Sequence, residues 1–508
     1  MKIGIDVGGT NTDAVLMDNT RVLSAAKRPT TEDVIGGITA ALSDILRDAD
    51  QCSIERVVIG TTHFVNAFVQ RRSLERIGSI RIAAPATLSV PPLCDWPQEL
   101  REAVEVRSHI VHGGVHVDGQ RLAPLDEAAL RTVAKDFRNH GISSVAITSL
   151  FSPISSADER RALDILRETL PDCDFTLSSE IGRIGLLERE NATIINAMLR
   201  GMAKQVIVGF RSALAELGVS APFFISRNDG TMINAAQAMR YPVLTFSSGP
   251  TNSMRGGALF SGLTDAIIVD IGGTTTDIGA IVNGYPREAG DVVKIGGVRT
   301  NFRMPDVLSL PLGGGTLVRE IDGKVVIGPD SLGYRLHQDA MVFGGTKLTV
   351  TDLAVASGAL ELGTADAVST LPPSLVVRAM AQVYATLEEG IDSMKTSSAD
   401  VPVVLVGGGA ALVNRPIGGK VAIRPPHADV ANAVGAALSQ VCGELDQIMD
   451  FSKGRDAVLA AALQRAHEQA KAMGARPGTL KVVDMEEVPV AYLPGQAVRV
   501  RVRVVGDA

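Results

Sequence analysis

The chain has little cysteine, no long apolar run and no long basic run, and each lack removes a class of function. Only four cysteines occur, Cys52, Cys94, Cys173 and Cys442, far apart and without a CxxC pair. The usual zinc-ribbon and iron–sulfur spacings are therefore absent, and unpaired thiols in a reducing compartment are the plain expectation. No stretch of about 20 consecutive apolar residues could span a bilayer, and no signal peptide is visible, so the expectation is a cytoplasmic protein without a membrane partner. Lys and Arg number 49 against 56 Asp and Glu, a formal net charge of −7. A diffuse acidic balance argues against nucleic acid as a partner.

What is present is a repeated glycine-rich turn. "GIDVGGTNTDAVLMD" begins at Gly4 and "VDIGGTTTDIGAIVN" at Val269; residues 6–14 and 270–278 agree at six of nine positions, 264 residues apart. Each copy runs from one short apolar strand through Gly-Gly into another, which predicts a hairpin. Rossmann and P-loop sites instead place their glycines where a strand enters a helix, and no GxxxxGK[ST] string surrounds either turn. A lone Gly-Gly hairpin is most simply a tight turn. Two copies at half-chain spacing, with Asp at both ends, favour an anion held between duplicated halves. Gly8, Gly9, Thr10, Asn11 and Thr12 face Gly272, Gly273, Thr274, Thr275 and Thr276 in that reading. Their N–H groups and hydroxyls would meet phosphate oxygens, and glycine admits close backbone approach. Asp6 and Asp270, at the strand ends, are the candidate Mg²⁺ ligands; with Asp13 they are candidate catalytic carboxylates.

The rest of the chain alternates strand and helix. Residues 100–175 predict parallel α/β units. Thr31 and Glu32 mark a helix start, and 191–217 reads as one long amphipathic helix. "VLTFSSGP" reads as a strand followed by a Gly-Pro turn. "VVLVGGGAAL" is a buried strand broken by Gly407, Gly408 and Gly409, whose bare backbone suits a flat base and ribose. The last 30 residues alternate strictly, as antiparallel strands do.

The ordered set of phosphate hairpin, connecting helix, second hairpin, adenosine glycines and small-residue helix resembles the actin/Hsp70/sugar-kinase superfamily of ATPases. Helices 191–217 and Ala428–Leu438 would be the connecting pair. Within it, "GTTHFVNAFVQRR", "NDGTMI", "SSGPTNSMRGG" and "MPDVLSLPLGGGTLVRE" resemble the hydantoinase A/5-oxoprolinase family over most of residues 3–440. The resemblance implies an α/β fold of duplicated ribonuclease H-like domains around an ATP cleft, with a small β-rich C-terminal extension. The divisions expected are 1–185, 186–445 and 446–508. It implies ATP and Mg²⁺, a cyclic amide, imide or hydantoin-like substrate phosphorylated on its carbonyl oxygen, a separate hydantoinase B-like or other hydrolase subunit, and an oligomer. Some relatives instead carboxylate a ketone through an enol phosphate.

On the family strings, Thr61, Thr62, His63, Asn66, Asp229, Arg255, Gly313, Gly314, Gly315 and Thr316 are the candidate substrate contacts, with Asn66 matching the family's Asn. Arg303 and Asp306 are further catalytic candidates: Arg303 holds a carboxylate or γ-phosphate, or pairs with Asp306. The family's "DIHT" is "DVLS" here, so Leu308 takes the place of a His with metal-ligand character. A sugar- or acetate-type kinase and a non-enzymatic ATP switch remain the competing classes.

Overall fold

The computed structural model describes residues 1–508 apart from 31–33, 48–52, 291, 397–399, 420 and 491–495. Thr31, Glu32 and Cys52 lie outside the described residues.

Both glycine turns close hairpins. Strand Lys2–Val7 pairs antiparallel with Asn11–Asp18, in a register that sets Asp6 opposite Asp13. Arg21–Pro29 continues on the outside of the hairpin. On the other side Arg56–Thr61 runs parallel to the first strand, and Phe223–Ser226 runs parallel to that. The second half repeats the plan. Ala266–Ile271 pairs with Thr276–Val282, setting Asp270 opposite Asp277, and Val403–Val406 runs parallel on the far side. Hairpin first, parallel strand second, on the same sides: the duplication visible in the two strings is a duplication of topology. The mixed α/β architecture is that of actin-like duplicated domains.

Residues 77–177 form a separate four-stranded parallel sheet, with crossover helices Glu127–Asn139 and Ala157–Thr169. The parallel α/β reading of 100–175 describes this sheet.

The C-terminal strands extend the first half's sheet. Gln440–Asp450 joins strand Thr231–Asn234 in parallel, and Ala497–Gly506 and Lys481–Pro489 add antiparallel beyond it, making nine strands. The period-2 pattern explains the placement. Val498, Val500, Val502 and Val504 are buried against helix Arg455–Ala472 through Ala462, Ala466 and Ala470, while Arg499, Arg501 and Arg503 take the opposite face. Each buried valine contributes about 1.5–3 kcal/mol.

Two expectations are corrected. The long helix starts earlier, Leu186–Glu216, and it does not connect the two halves. It lies within the first half, bonded to the four-stranded sheet by Ser144 Oγ to the Ala197 carbonyl (2.9 Å) and Asn196 Nδ2 to Thr176 Oγ1 (3.1 Å). The connecting pair is Ser248–Ser261, which leads into the second hairpin, and Ala431–Ala437. They cross at backbone contact: a Cβ on Gly256 would lie 2.0 Å from the Ala431 carbonyl oxygen, and one on Gly435 1.9 Å from that of Asn252. "VLTF" is a 3₁₀ turn over Pro242–Thr245, not a strand, and Gly249-Pro250 sits inside the first helical turn. A proline is tolerated there because the first-turn N–H groups lack helical partners.

Gly435→Ala therefore must push two helix backbones apart. We expect a loss of about 3 kcal/mol in unfolding free energy. Gly478→Ala, whose Cβ meets nothing within 4 Å, should change stability by less than about 0.5 kcal/mol. Urea denaturation of the two variants measures the difference.

Candidate active site

The two hairpin tips meet. Gly8 N–H donates to the Asn11 carbonyl at 3.0 Å and Gly272 N–H to that of Thr275 at 2.9 Å, so both turns close in the same way. A Cβ on Gly273 would lie 2.9 Å from Thr10 Oγ1. Around the tips runs a cleft lined by both turns, by Gly407 and Gly408, and by the start of helix Ser248–Ser261. Gly407 has φ +85°, and a Cβ there would lie 2.1 Å from Asp270 Oδ1. Only glycine fits that position. Gly409 turns away, its N–H bonded to the Ile271 carbonyl at 2.7 Å.

Five aspartates line this cleft: Asp6, Asp13, Asp270, Asp277 and Asp429. Asp6 is 4% exposed. Burial, then the charge of Asp13, pushes its carboxyl up to about 7, against the amide hydrogen bond from Asn252 (3.4 Å). Asn432 Nδ2 bridges the pair at 3.1 Å from Asp6 and 2.9 Å from Asp13. Burial also raises Asp13, opposed by Lys27, whose Nζ lies 2.5 Å from its Oδ1. Asp270 is raised by burial, opposed by a hydrogen bond from Ser253. Asp277 is pushed up to about 7 by burial, with Ser309 donating to it.

The other candidate residues divide. Gly8, Gly9, Thr10, Asn11, Gly272, Gly273, Thr274, Thr275, Gly407, Gly408 and Thr62 line the cleft. Thr12 and Thr276 are fully buried and support the turns: Thr12 Oγ1 lies 3.4 Å from Thr30 Oγ1, and Thr276 Oγ1 donates to the Leu312 carbonyl at 2.6 Å. Thr61 is buried and accepts from the His63 N–H at 3.1 Å. Asn66 donates to Thr62 Oγ1 at 3.2 Å. Burial lowers the His63 imidazole below its usual range.

Arg303 and Asp306 are not in the cleft. Arg303 is 9% exposed and enclosed by Glu288, Glu444 and Asp446. Asp306 pairs with Arg287 at 2.8 Å rather than with Arg303. Both are held by ion pairs away from the hairpins. Asp229, also outside the cleft, is buried between Arg227 and Arg503, which hold it well below the usual carboxylate range against the cost of burial. Arg255 donates to the Gly230 carbonyl at 2.8 Å and stacks on Tyr285. Gly313–Thr316 buttresses the second turn from behind. Gly314 and Gly315 N–H groups donate to the Gly272 and Gly273 carbonyls at 3.0 and 2.7 Å, and Thr316 Oγ1 accepts from Gly313 at 2.7 Å. Leu308 faces the second half's core.

Lys27, Ser253, Asp277, Asp429 and Asn432 are cleft residues that the sequence reading passed over, as is Asn252, which is buried behind the cleft and donates to Asp6. Asp277 was recoverable, being the counterpart of Asp13 in the aligned strings.

Residues 2–170 match the hydantoinase/oxoprolinase N-terminal region, and residues 189–406 match the hydantoinase/oxoprolinase model. The chain belongs to the hydantoinase/oxoprolinase family. Caprolactamase subunit alpha of Pseudomonas jessenii is 28% identical over 395 residues, 71% of this chain and 55% of that one. The acetophenone carboxylase gamma subunit of Aromatoleum aromaticum is 26% identical over 398 residues, 70% of this chain and 53% of that one. The chain spans about half the length of these curated relatives. Among solved structures, the ATP-dependent caprolactamase from Pseudomonas jessenii superposes over 100% of this chain and 87% of its own with a TM-score of 0.79 at 21% identity. Nucleotide-free acetone carboxylase superposes over 100% and 88% with a TM-score of 0.69 at 18% identity. Both share the fold of this family member.

The raised carboxyls set a pH dependence. Asp6 titrates near 3.9 in an unfolded chain and at about 7 in the native one. Between those values the native state binds more protons, so its contribution to stability is largest at low pH and is lost as pH rises through about 7. Asp277 acts in the same sense. Chemical denaturation of nucleotide-free protein from pH 5 to 8 should show stability falling with pH, with a shallower slope in Asp6→Asn.

Proposed function

We propose that this chain is the ATP-using subunit of an enzyme that opens a cyclic amide, imide or hydantoin-like ring after phosphorylating its carbonyl oxygen. The observation that carries the reading is the pair of matched Asp-flanked glycine hairpins meeting tip to tip, with the Gly407–Gly409 loop beside them. The family supports it, and so does the likeness to a caprolactamase subunit.

The parts fit a nucleotide. Glycines at the tips leave backbone N–H groups approachable by phosphate oxygens, and Gly407 and Gly408 leave bare backbone for a base and ribose. ATP supplies the phosphoryl group, and Mg²⁺ neutralises its charge. Asp6 and Asp270 are the carboxylates to hold the ion. Among the described residues no three His, Cys, Asp or Glu converge to hold a metal alone. Mg²⁺ commonly takes one or two carboxylates and completes its shell with phosphates and water, and this donor set suits that mode. Lys27 is the only cationic side chain lining the cleft among the described residues. Released from Asp13, its ammonium meets the charge spread over the phosphoryl oxygens. Such positioning and neutralisation make up most of the catalysis of phosphoryl transfer. Phosphorylation of the amide oxygen leaves the ring carbon open to water, and that second step belongs to a partner subunit.

The acetophenone carboxylase relative favours a second reading, a carboxylase subunit acting through an enol phosphate. Both chemistries place a phosphoryl group on a substrate oxygen. Purified protein with ATP and Mg²⁺ is mixed with caprolactam, hydantoin, 5-oxoproline and a ketone with bicarbonate, with and without a partner subunit. ADP formation driven by a cyclic amide is the expected result. ADP formation driven only by the ketone selects the carboxylase, a stable phosphorylated product selects a kinase, and no ADP with any substrate or partner rejects all three. Lys27→Met, assayed as folded protein because it strips buried Asp13 of its counter-ion, should lower turnover about 100-fold, Lys27→Arg should recover part of it, and EDTA should abolish it.

A further inference from the structure

A cavity of about 620 Å³ opens in the second half. It shares no lining residue with the hairpin cleft. Helix Pro373–Met394 forms its long wall through Val376, Met380 and Tyr384, which recur every four residues and so share one face. Helix Val350–Ala356 adds Val355, and the 3₁₀ turn Ala365–Val368 adds Val368. All five side chains are buried, yet they leave a hollow between them. Val377, which also lines it, is 69% exposed. Protein interiors are close-packed, so an apolar hollow of this size with a large apolar side chain left in water beside it has the character of a ligand site.

Two charged side chains line the cavity, Asp366 and Arg415. They do not pair with each other, and among the described residues neither has another ion-pair partner. The nearest charges along the helix are engaged elsewhere. Glu388, one turn beyond Tyr384, accepts from the Gly418 N–H at 2.8 Å, and Arg378 pairs with Glu320 at 2.6 Å. Arg415 is nonetheless held in place. Its guanidinium stacks over the Tyr384 ring, 3.9 Å from the centroid. The Tyr384 hydroxyl accepts from the Asn414 and Arg415 N–H groups at 3.0 and 3.3 Å and lies 3.1 Å from Asn414 Oδ1. Stacking fixes the plane of a guanidinium and leaves its N–H fork open to a carboxylate. The hollow thus offers one cation, one anion and apolar walls, with no internal partner for either charge.

We propose that this cavity binds an amino acid with an apolar body, its carboxylate on Arg415, its ammonium on Asp366 and its hydrocarbon on the valines and Met380. A guanidinium fork matches a carboxylate in two parallel hydrogen bonds, and a lone carboxylate beside apolar surface suits an ammonium. The proposal stands on this cavity alone and does not depend on the chemistry of the hairpin cleft. Two kinds of amino acid carry that chemistry: an α-amino acid with an aliphatic side chain, its charges adjacent, and an ω-amino acid, its charges at the two ends of the chain.

The test is calorimetric titration of the full chain, at constant ionic strength, with leucine, 6-aminohexanoate, hexanoate and hexylammonium. Saturable binding of leucine or 6-aminohexanoate is expected, about tenfold tighter than that of either singly charged compound. It should weaken about tenfold in Arg415→Met and in Asp366→Asn, and stay unchanged in Arg378→Met, whose side chain does not line the cavity. Preference for leucine identifies an α-amino acid; preference for 6-aminohexanoate identifies an ω-amino acid. Arg415 and Asp366 are both exposed, so the variants should fold, and thermal melting checks that they do. Absence of saturable binding by either amino acid, equal affinity for hexanoate or hexylammonium, or unchanged binding in folded Arg415→Met or Asp366→Asn overturns the proposal.

Discussion

The cleft depends on two helix backbones that touch. At Gly256 against Ala431 and Gly435 against Asn252 there is no room for a side chain, so the helices cross as closely as peptide planes allow. The same contact carries the site. Asn252 on one helix and Asn432 on the other each donate an amide hydrogen bond to Asp6. Gly4, in the strand that bears Asp6, abuts the Ala433 carbonyl, where a Cβ would lie at 1.9 Å. A carboxyl removed from water is thereby held by one amide from each helix, and its position follows from the crossing. Ala431, Ala433, Gly435 and Ala437 serve that approach, being the positions that meet Gly256, Gly4 and Asn252 at backbone distance.

The duplication is close in backbone and differs in charge at one ladder position. Asp13 sits opposite Lys27 in the register of the first half, and Asp277 sits opposite Ser309 in the second. The same ladder position is a cation on one side of the cleft and a neutral hydroxyl on the other. The two hairpins therefore present equal turns but unequal charge. A polyphosphate lying between them would meet an ammonium on the first hairpin's side, with Gly408 near it: a Cβ on that glycine would be 4.0 Å from Lys27 Nζ. The asymmetry gives a symmetric clamp a direction.

Features carried by a few neighbouring residues were legible in the sequence. The hairpins, the Gly407–Gly409 break, the parallel units over 100–175 and the alternating C-terminal strands each follow from a local rule of spacing or turn chemistry. The small-residue connecting helix was also visible. Its partner was misassigned because length and periodicity single out 186–216, whereas backbone crossing requires the less conspicuous glycines of Ser248–Ser261. Lys27 was out of reach for a related reason. Its role comes from strand register, and nothing in "SAAKRP" marks the lysine as opposite an aspartate. Arg303 and Asp306 were near the second hairpin in sequence, but Arg303 is paired with Glu444 and Asp446, far along the chain, as well as with Glu288, and Asp306 is paired with Arg287, so neither reaches the cleft.

The C-terminal strands show why a sheet extension can bear on a distant cleft. Alternation sends Arg501 and Arg503 to the face opposite the buried valines, and both meet Glu288. Glu288 lies just beyond the second hairpin, and its neighbour Arg287 holds Asp306. Strands hydrogen-bonded into the first half's sheet thus grip a loop of the second half by charge. Among the contacts that join the two halves are the helix crossing beneath the hairpins, this ionic clasp, and the packing of Ile295, Val298, Phe302 and Met304 into the core around Ile194, Met198 and Phe246. Relative motion of the halves must keep the glycine contact, because separating it exposes tightly packed backbone. The clasp is different: its arginines share acids at 3.0 to 3.8 Å in several pairs and can exchange partners without losing all of them. The crossing is therefore the fixed point of the molecule, and the clasp is the contact that can adjust around it.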